Sequence, residues 1–301
     1  FSSTQDRGII PRNELNIDIK YNTNSLNNYK KVEKGDFVIS LRSFQGGIEY
    51  SNYTGIISPA YTIIRENYTI NKVYYKEYFK SYNYIKRLNS AIYGIRDGKQ
   101  INYNDFGIIE LFQPPFKEQQ KIADILTTQD KLIELKQKLI EEKEKQKKYL
   151  MKNLLTGKIR LKGFNDKWRK IELKEITEVI TGKTPSTKNL EFYDGEYIWV
   201  TPTDINSNKY IYNTNKTLTN EGAKKCKILP KETVLITCIA SIGKNTILKV
   251  NGCCNQQINA ILPNKNLCME YIYYLMCFNK NLLMKYAGKS ATQIINKETF
   301  T

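Results

Sequence analysis

From Glu118 to Thr156 the chain runs without a proline or a glycine, and that stretch limits what the rest can fold into. Leu126, Ile133, Ile140 and Leu154 lie on one seam of seven-residue spacing, broken at the polar Lys147 and preceded by Ile122 one turn earlier. Ile125, Leu132 and Leu139 run beside it at the same spacing. A repeat of seven keeps an apolar stripe turned toward a partner helix. The intervening Glu, Lys and Gln are good helix formers. Pro114 and Pro115 stand just upstream and Gly157 occupies the place of a C-terminal cap, so both ends are punctuated. At about 1.5 Å per residue the helix would be about 60 Å long, more than one small domain can bury. It reads as a spacer arm. Its stripe (Ile122, Leu126, Leu132, Ile133, Leu139, Ile140, Leu154) would meet a second helix, from this chain or another. The alternative is a solvated surface helix, because Glu141 to Lys148 is wholly charged or polar.

The segments on either side of this arm are copies of one another. Phe37-Val38-Ile39-Ser40 aligns with Val234-Leu235-Ile236-Thr237 at a shift of 197 (236 less 39), and Gly55-Ile56-Ile57-Ser58 with Gly252-Cys253-Cys254-Asn255. The same shift sets the aromatic helical pattern after Val73 on the one after Met269. Farther on, Gln100-Ile101-Asn102 matches Gln293-Ile294-Ile295 at a shift of 193 (293 less 100). Internal repetition of this kind outweighs any single motif in fixing an architecture. Each copy mixes short β-prone runs with an aromatic helix, while 94–112 reads as a turn and then a strand. The expected fold is therefore mixed α/β. One domain would span 1–113, lacking the part equivalent to about 171–197, with the arm over 114–160 and a second domain over 161–301. The order domain–helix–domain implies a second helix beyond residue 301 that pairs with the first. The chain does not open on Met and is read as a piece of a longer protein.

Composition narrows the function classes. With 47 basic and 30 acidic residues the net charge is +17, which favours a polyanionic partner such as nucleic acid. A general richness in Lys, Asn, Ile and Tyr accounts for part of that excess. No histidine is present, which removes His-based acid–base catalysis, His-paired nucleophiles and histidine metal ligation. The six cysteines all fall in the last third with no C-x-x-C pair, so they read as reduced core thiols of a cytoplasmic protein rather than zinc ligands. No apolar run reaches membrane-spanning length. Gln113-Pro114-Pro115-Phe116 has the outline of an adenine methyltransferase loop, but Gln opens it and no Gly-rich cofactor loop accompanies it. It reads as a linker. Gly182-Lys183-Thr184 has the outline of a phosphate-binding loop, yet no glycine lies at 175–179 to begin one.

The helix entry Pro114, Pro115, Glu118, Gln119 and Ile122, the exit Leu154-Leu155-Thr156-Gly157-Lys158-Ile159-Arg160-Leu161, and Gly163-Phe164 form an ordered set with the opening Trp168 to Leu173 and Gly182-Lys183-Thr184-Pro185-Ser186. In that order, around a duplicated domain, they resemble the DNA specificity (S) subunit of type I restriction–modification systems, over essentially the whole chain. The resemblance implies two tandem target-recognition domains separated by a long coiled-coil-type helix, each domain reading one half of a split double-stranded DNA sequence. It implies a ruler helix that sets the gap and docks two methylase (modification) subunits. Those carry S-adenosylmethionine and methylate adenine N6, and a restriction (motor) subunit using ATP and Mg can join. The chain itself would hold no cofactor, no metal and no catalytic residue. The competing reading is the recognition portion of a single-chain methyltransferase–nuclease. A coiled-coil scaffold with basic lobes is a third.

For DNA contact the expected residues are polar and basic ones in loops near strand ends: Arg7, Arg12, Arg42, Ser43, Lys183, Thr184, Ser186, Thr203, Asp204, Ser241, Lys244 and Lys289. Arg pairs bidentately with guanine, and Asp accepts from cytosine. Arg42 and Lys244 both follow the matched strand in their copies. The tyrosines at 74, 75, 78, 271, 273 and 274 read as core packing rather than base-stacking platforms.

Overall fold

The computed structural model describes residues 1–4, 7–15, 23–39, 48–91, 103–206, 208–287 and 294–300. It divides into two units, Phe1–Leu139 and Ile140–Thr301. The first contains strands β1 (Ser2–Thr4), β2 (Gly8–Ile10), β3 (Lys30–Val32), β4 (Phe37–Ile39), β5 (Ile48–Tyr50), β6 (Gly55–Ile57) and β7 (Thr62–Ile64). Helices α1 (Lys72–Tyr78), α2 (Tyr82–Ala91) and α3 (Tyr103–Gly107) follow, and then α4 (Phe116–Leu154), within which the division falls. The second unit begins with α5 (Leu173–Ile176), β8 (Val179–Thr181), β9 (Tyr193–Val200), β10 (Tyr210–Ile211), β11 (Thr217–Leu218) and α6 (Asn220–Lys225). It continues through β12 (Val234–Thr237), β13 (Asn245–Leu248), β14 (Gly252–Cys254), β15 (Ile258–Ile261), α7 (Met269–Phe278), α8 (Lys280–Tyr286) and α9 (Lys297–Phe300).

The sequence repeat is carried into the strand ladders without a slip. In the first unit β4 lies antiparallel between β5 and β7, with Phe37 opposite Tyr50 and Ile64. In the second, β12 lies antiparallel between β13 and β15, with Val234 opposite Ile247 and Ile261. Each residue of one set differs from its counterpart by 197 (234 less 37, 247 less 50, 261 less 64). A slip of one residue would turn every side chain to the opposite face, so equal register means equal core faces. Phe37 and Ile39 pack with Tyr74, Tyr75 and Phe79, while Val234 and Ile236 pack with Ile272 and Tyr273. The turn before the central strand is also shared. Gly35 (φ 98°) donates its N–H to Ser51 O at 2.8 Å, and Glu232 (φ 68°) donates to Leu248 O at 2.7 Å. Glu232 holds a left-handed conformation that favours glycine, because the ladder on both sides fixes it there.

Two expectations need correction. The aromatic runs at 73–88 and 269–286 are each two helices, broken at Phe79–Ser81 and at Asn279. Residues 103–107, read as the approach to a strand, form helix α3 instead. One helical turn brings Phe106 and Ile109 to the same cluster as Tyr78 and Phe79, which an extended chain would separate.

The arm is one continuous helix. Its entry motif is anchored through Gln119, which is 1% exposed. Its Oε1 accepts from Asn71 N at 2.9 Å and its Nε2 donates to Pro114 O at 2.8 Å. Ala123 is buried in the first unit's core and Ile122 packs against it, so Ile122 serves its own unit. Leu126, Leu132, Ile133, Leu139 and Ile140 face outward, between 38% and 59% exposed. Leu154 is half-buried and, with Leu150, Met151, Leu155 and Tyr274, lines a shallow cleft of about 360 Å³ in the second unit. At the exit, Gly157 has φ 69°, the left-handed conformation of a helix C-cap that favours glycine, and it packs close to the Trp168 ring. Among the described residues no helix is long and apolar enough to cross a membrane.

Candidate nucleic-acid interface

The second unit places three loops beside one another through the short turn Asn255-Gln256-Gln257 between β14 and β15. The loop after β8 reaches it first: Gly182 N donates to Ile258 O at 3.0 Å and Lys183 N to Cys254 O at 2.9 Å. The loop after β9 follows, since Asn255 N donates to Val200 O at 3.0 Å. The loop after β12 joins from the other side, where Cys238 N donates to Gln257 O at 2.8 Å. A five-stranded sheet, β10-β13-β12-β15-β8, antiparallel except where β10 runs parallel to β13, and a second sheet, β11-β9-β14, supply these ends.

The Gly182–Ser186 loop is held from beneath. Trp199 Nε1 and the Cys226 thiol both donate to Lys183 O at 3.2 Å, and Tyr193 Oη donates to Pro185 O at 2.8 Å. Contact with Cys253 holds the Cys226 thiol below its ordinary value, with the Lys183 cation adding to it, and the same contact pushes Cys253 well up. The backbone spends its hydrogen bonds inward, which leaves Lys183, Thr184 and Ser186 exposed. Thr184 Oγ1 donates to Gln256 Oε1 across the gap between loops. Lys244 is exposed at the end of the loop after β12, where its N–H donates to Thr237 Oγ1 at 3.0 Å. Ser241 is half-buried, and its carbonyl accepts from the same hydroxyl.

Thr203 is exposed, and its hydroxyl lies 2.8 Å from that of Thr201. Asp204 stands differently from expectation. Oδ2 accepts from Thr201 N at 2.9 Å and Thr201 Oγ1 at 2.7 Å, and Oδ1 accepts from Asn215 N at 3.4 Å. Both oxygens brace the loop from within. So the structure brings Lys183, Thr184, Ser186, Thr203, Ser241 and Lys244 onto joined loops and sets Asp204 behind them. In the first unit Arg7 Nη2 donates to Glu14 O at 3.5 Å, and Arg12 lies 5.9 Å from the Tyr29 ring centroid. Arg42, Ser43 and Lys289 lie outside the described residues.

The tyrosines divide as core packing requires. Tyr74, Tyr75 and Tyr273 are buried, and Tyr274 lies 4.7 Å from Lys209 Nζ, which also pairs with Glu270 at 3.1 Å. Tyr271 is exposed. Sequence reasoning missed the Asn255–Gln257 turn, the hub of the arrangement. The one signal for it was the second copy's Asn-Gln-Gln where the first has Ser58-Pro59-Ala60. Among the described residues no group of three or more acidic or thiol side chains could hold a metal ion.

The chain is similar to known proteins. The family model described as "Type I restriction modification DNA specificity domain" matches residues 165–301. The type I restriction enzyme MjaIX specificity subunit of Methanocaldococcus jannaschii is 38% identical over 112 residues, which is 36% of this chain and 26% of that protein. The HindI specificity subunit of Haemophilus influenzae is 29% identical over 141 residues, 44% of this chain and 30% of that protein. The matches thus span about a quarter to a third of those two relatives. A solved structure described as the structural basis of complex assembly and conformational transition of the type I R-M system aligns over 90% of this chain and 69% of that chain. Its TM-score is 0.59 at 18% identity, a likeness of fold. Residues 165–301 match the type I restriction–modification DNA specificity domain, and the chain is similar to specificity subunits of type I systems.

Proposed function

We propose that this chain is the non-catalytic, sequence-reading part of a type I restriction–modification assembly. The repeated α/β lobes at 1–113 and 161–301 each read one half of a split DNA target, and the helical segment 114–160 acts as the ruler between them. The single observation that carries this reading is the equal strand register of the two copies, encoded on either side of α4. Two readers of one design address two half-sites, and an uninterrupted helix of about 58 Å corresponds to between one and two DNA turns of about 34–36 Å. The net charge of +17 supplies salt-dependent phosphate attraction, while loop side chains address base edges.

In this reading the second lobe meets DNA through Lys183, Thr184, Ser186, Thr203, Ser241 and Lys244, and Lys289 is a further contact. The first lobe uses Arg7, Arg12, Arg42 and Ser43. The outward stripe Leu126, Leu132, Ile133, Leu139 and Ile140 meets a partner helix, since an apolar stripe of that length on a charged helix drives association. Two modification subunits supply S-adenosylmethionine and methylate adenine N6. A restriction subunit with ATP and Mg joins them. The test is to co-express the gene with its modification subunit and incubate the purified complex with a randomised duplex library and S-adenosylmethionine. Methylation confined to a motif of two short halves with a fixed gap supports the proposal; methylation without sequence preference, or no co-purification, overturns it.

A further inference from the structure

We propose that Gln256 is a specificity-determining residue of the second lobe, and that its side-chain amide reads an adenine in that half-site. The inference rests on the reading above and adds to it the residue and the base. Gln256 is exposed at the tip of the β14–β15 turn. The frame beneath it is closed on itself. Asn255 Oδ1 accepts from Gln257 N at 3.1 Å, Asn255 Nδ2 donates to Gln257 Oε1 at 3.1 Å, and Ile258 N donates to Asn255 O at 3.1 Å. Asn255 is only 7% exposed, so this frame is set into the domain rather than draped on it. The side chain at the tip is oriented as well. Thr184 donates to Gln256 Oε1, which leaves that oxygen a second lone pair. Among the described residues Nε2 has no hydrogen-bond partner. The side chain therefore presents one acceptor and a donor pair. That is the complement of adenine N6–H and N7 in the major groove, the pairing Gln and Asn make bidentately.

The internal repeat supplies an independent argument. A shift of 197 carries Gln256 onto Pro59 (256 less 197), between Ser58 and Ala60. The frame survives this change: Ser58 Oγ accepts from Ala60 N at 3.4 Å as Asn255 Oδ1 accepts from Gln257 N. Proline offers the tip neither donor nor side-chain acceptor. One turn is kept while its tip chemistry is exchanged, as two readers of unlike half-sites require. Lys183 and Lys244, exposed on the adjoining loops, are placed for phosphate contact and carry no base preference of their own.

The test uses the full chain in complex with its modification subunits, with adenine methylation read at base resolution over a randomised duplex library. Gln256→Ala should lower the preference at one adenine position of one half-site by about 10- to 100-fold, with the other positions and the melting temperature unchanged. Gln256→Glu, which only accepts, should move that position toward cytosine. Unchanged preference at every position in Gln256→Ala overturns the proposal and leaves the specificity-subunit reading standing. A uniform fall at all positions with a lower melting temperature also overturns it, by assigning Gln256 to the fold. If the wild-type complex shows no split motif, the functional reading fails and this assignment fails with it.

Discussion

Gly182→Ala tests whether the joined loops of the second unit are a built surface. A Cβ at this position would lie 2.2 Å from Asn255 O and 2.4 Å from Cys254 O, both backbone atoms of strand β14 and the turn after it. Ordinary contact begins near 3.4 Å, so one side must retreat by about 1.2 Å (3.4 less 2.2). Neither side is free to do so. The turn is tied to Val200, and Lys183 is tied to Cys254, Trp199 and Cys226. Forced overpacking of this kind costs about 1–3 kcal/mol. In a domain of this size each kcal/mol lowers the melting temperature by about 2–4 °C. The displacement also carries Thr184 away from Gln256, and a misplacement of ~1 Å in a positioning element lowers turnover by about 10²-fold. Calorimetry of the full chain reads the first effect, and methylation kinetics of the assembled complex reads the second. Gly107→Ala is the control, because nothing lies within 4 Å of a Cβ there. It should stay within about 0.5 kcal/mol of wild type. A Gly182→Ala protein that melts and methylates like wild type would refute the close-packed loop arrangement.

Other expectations follow from the same contacts. Asp36 is 3% exposed and receives Arg65 Nε at 2.9 Å and Nη2 at 2.8 Å. With Arg65 half-exposed, Asp36→Ala should cost about 2–3 kcal/mol in urea denaturation, and Arg65→Ala should add little to it. Cys268 alone among the six thiols is exposed, and burial pushes the Cys238 thiol up to about 11. Titration of the native chain with a thiol reagent at pH 8 should give one fast group, lost in Cys268→Ser. Replacing Leu139 and Ile140 by Lys should leave helix content unchanged by circular dichroism and abolish assembly with the modification subunits by light scattering. Retained assembly would remove the stripe from the interface.

Much of this architecture was legible because it is encoded in spacing. The heptads of α4 announce a helix by their period, and the shift of 197 is the ladder register itself, since strands that pair alike must lie at like separations. The breaks at Phe79–Ser81 and Asn279 were not legible, for the aromatic period continues through them and only packing on the strands imposes the turn. The site was legible in part. Lys183, Thr184 and Ser186 stood out because Gly and Pro mark their loop. Gln256 looked like any solvated turn residue, as its partner Thr184 lies 72 positions away. Asp204 was chosen for its chemistry, but Thr201 three positions earlier is what uses its carboxylate. A short polar side chain tends to satisfy its own loop before anything outside it.

The most direct measurement for the central claim is a base-resolution map of N6-methyladenine in the host genome, taken with the gene intact and with it deleted. The account predicts that deletion removes methylation from one motif, two short halves separated by a fixed gap, while every other methylated motif persists. An identical map from the two strains, in cells shown to express the chain with its modification subunit, would contradict it.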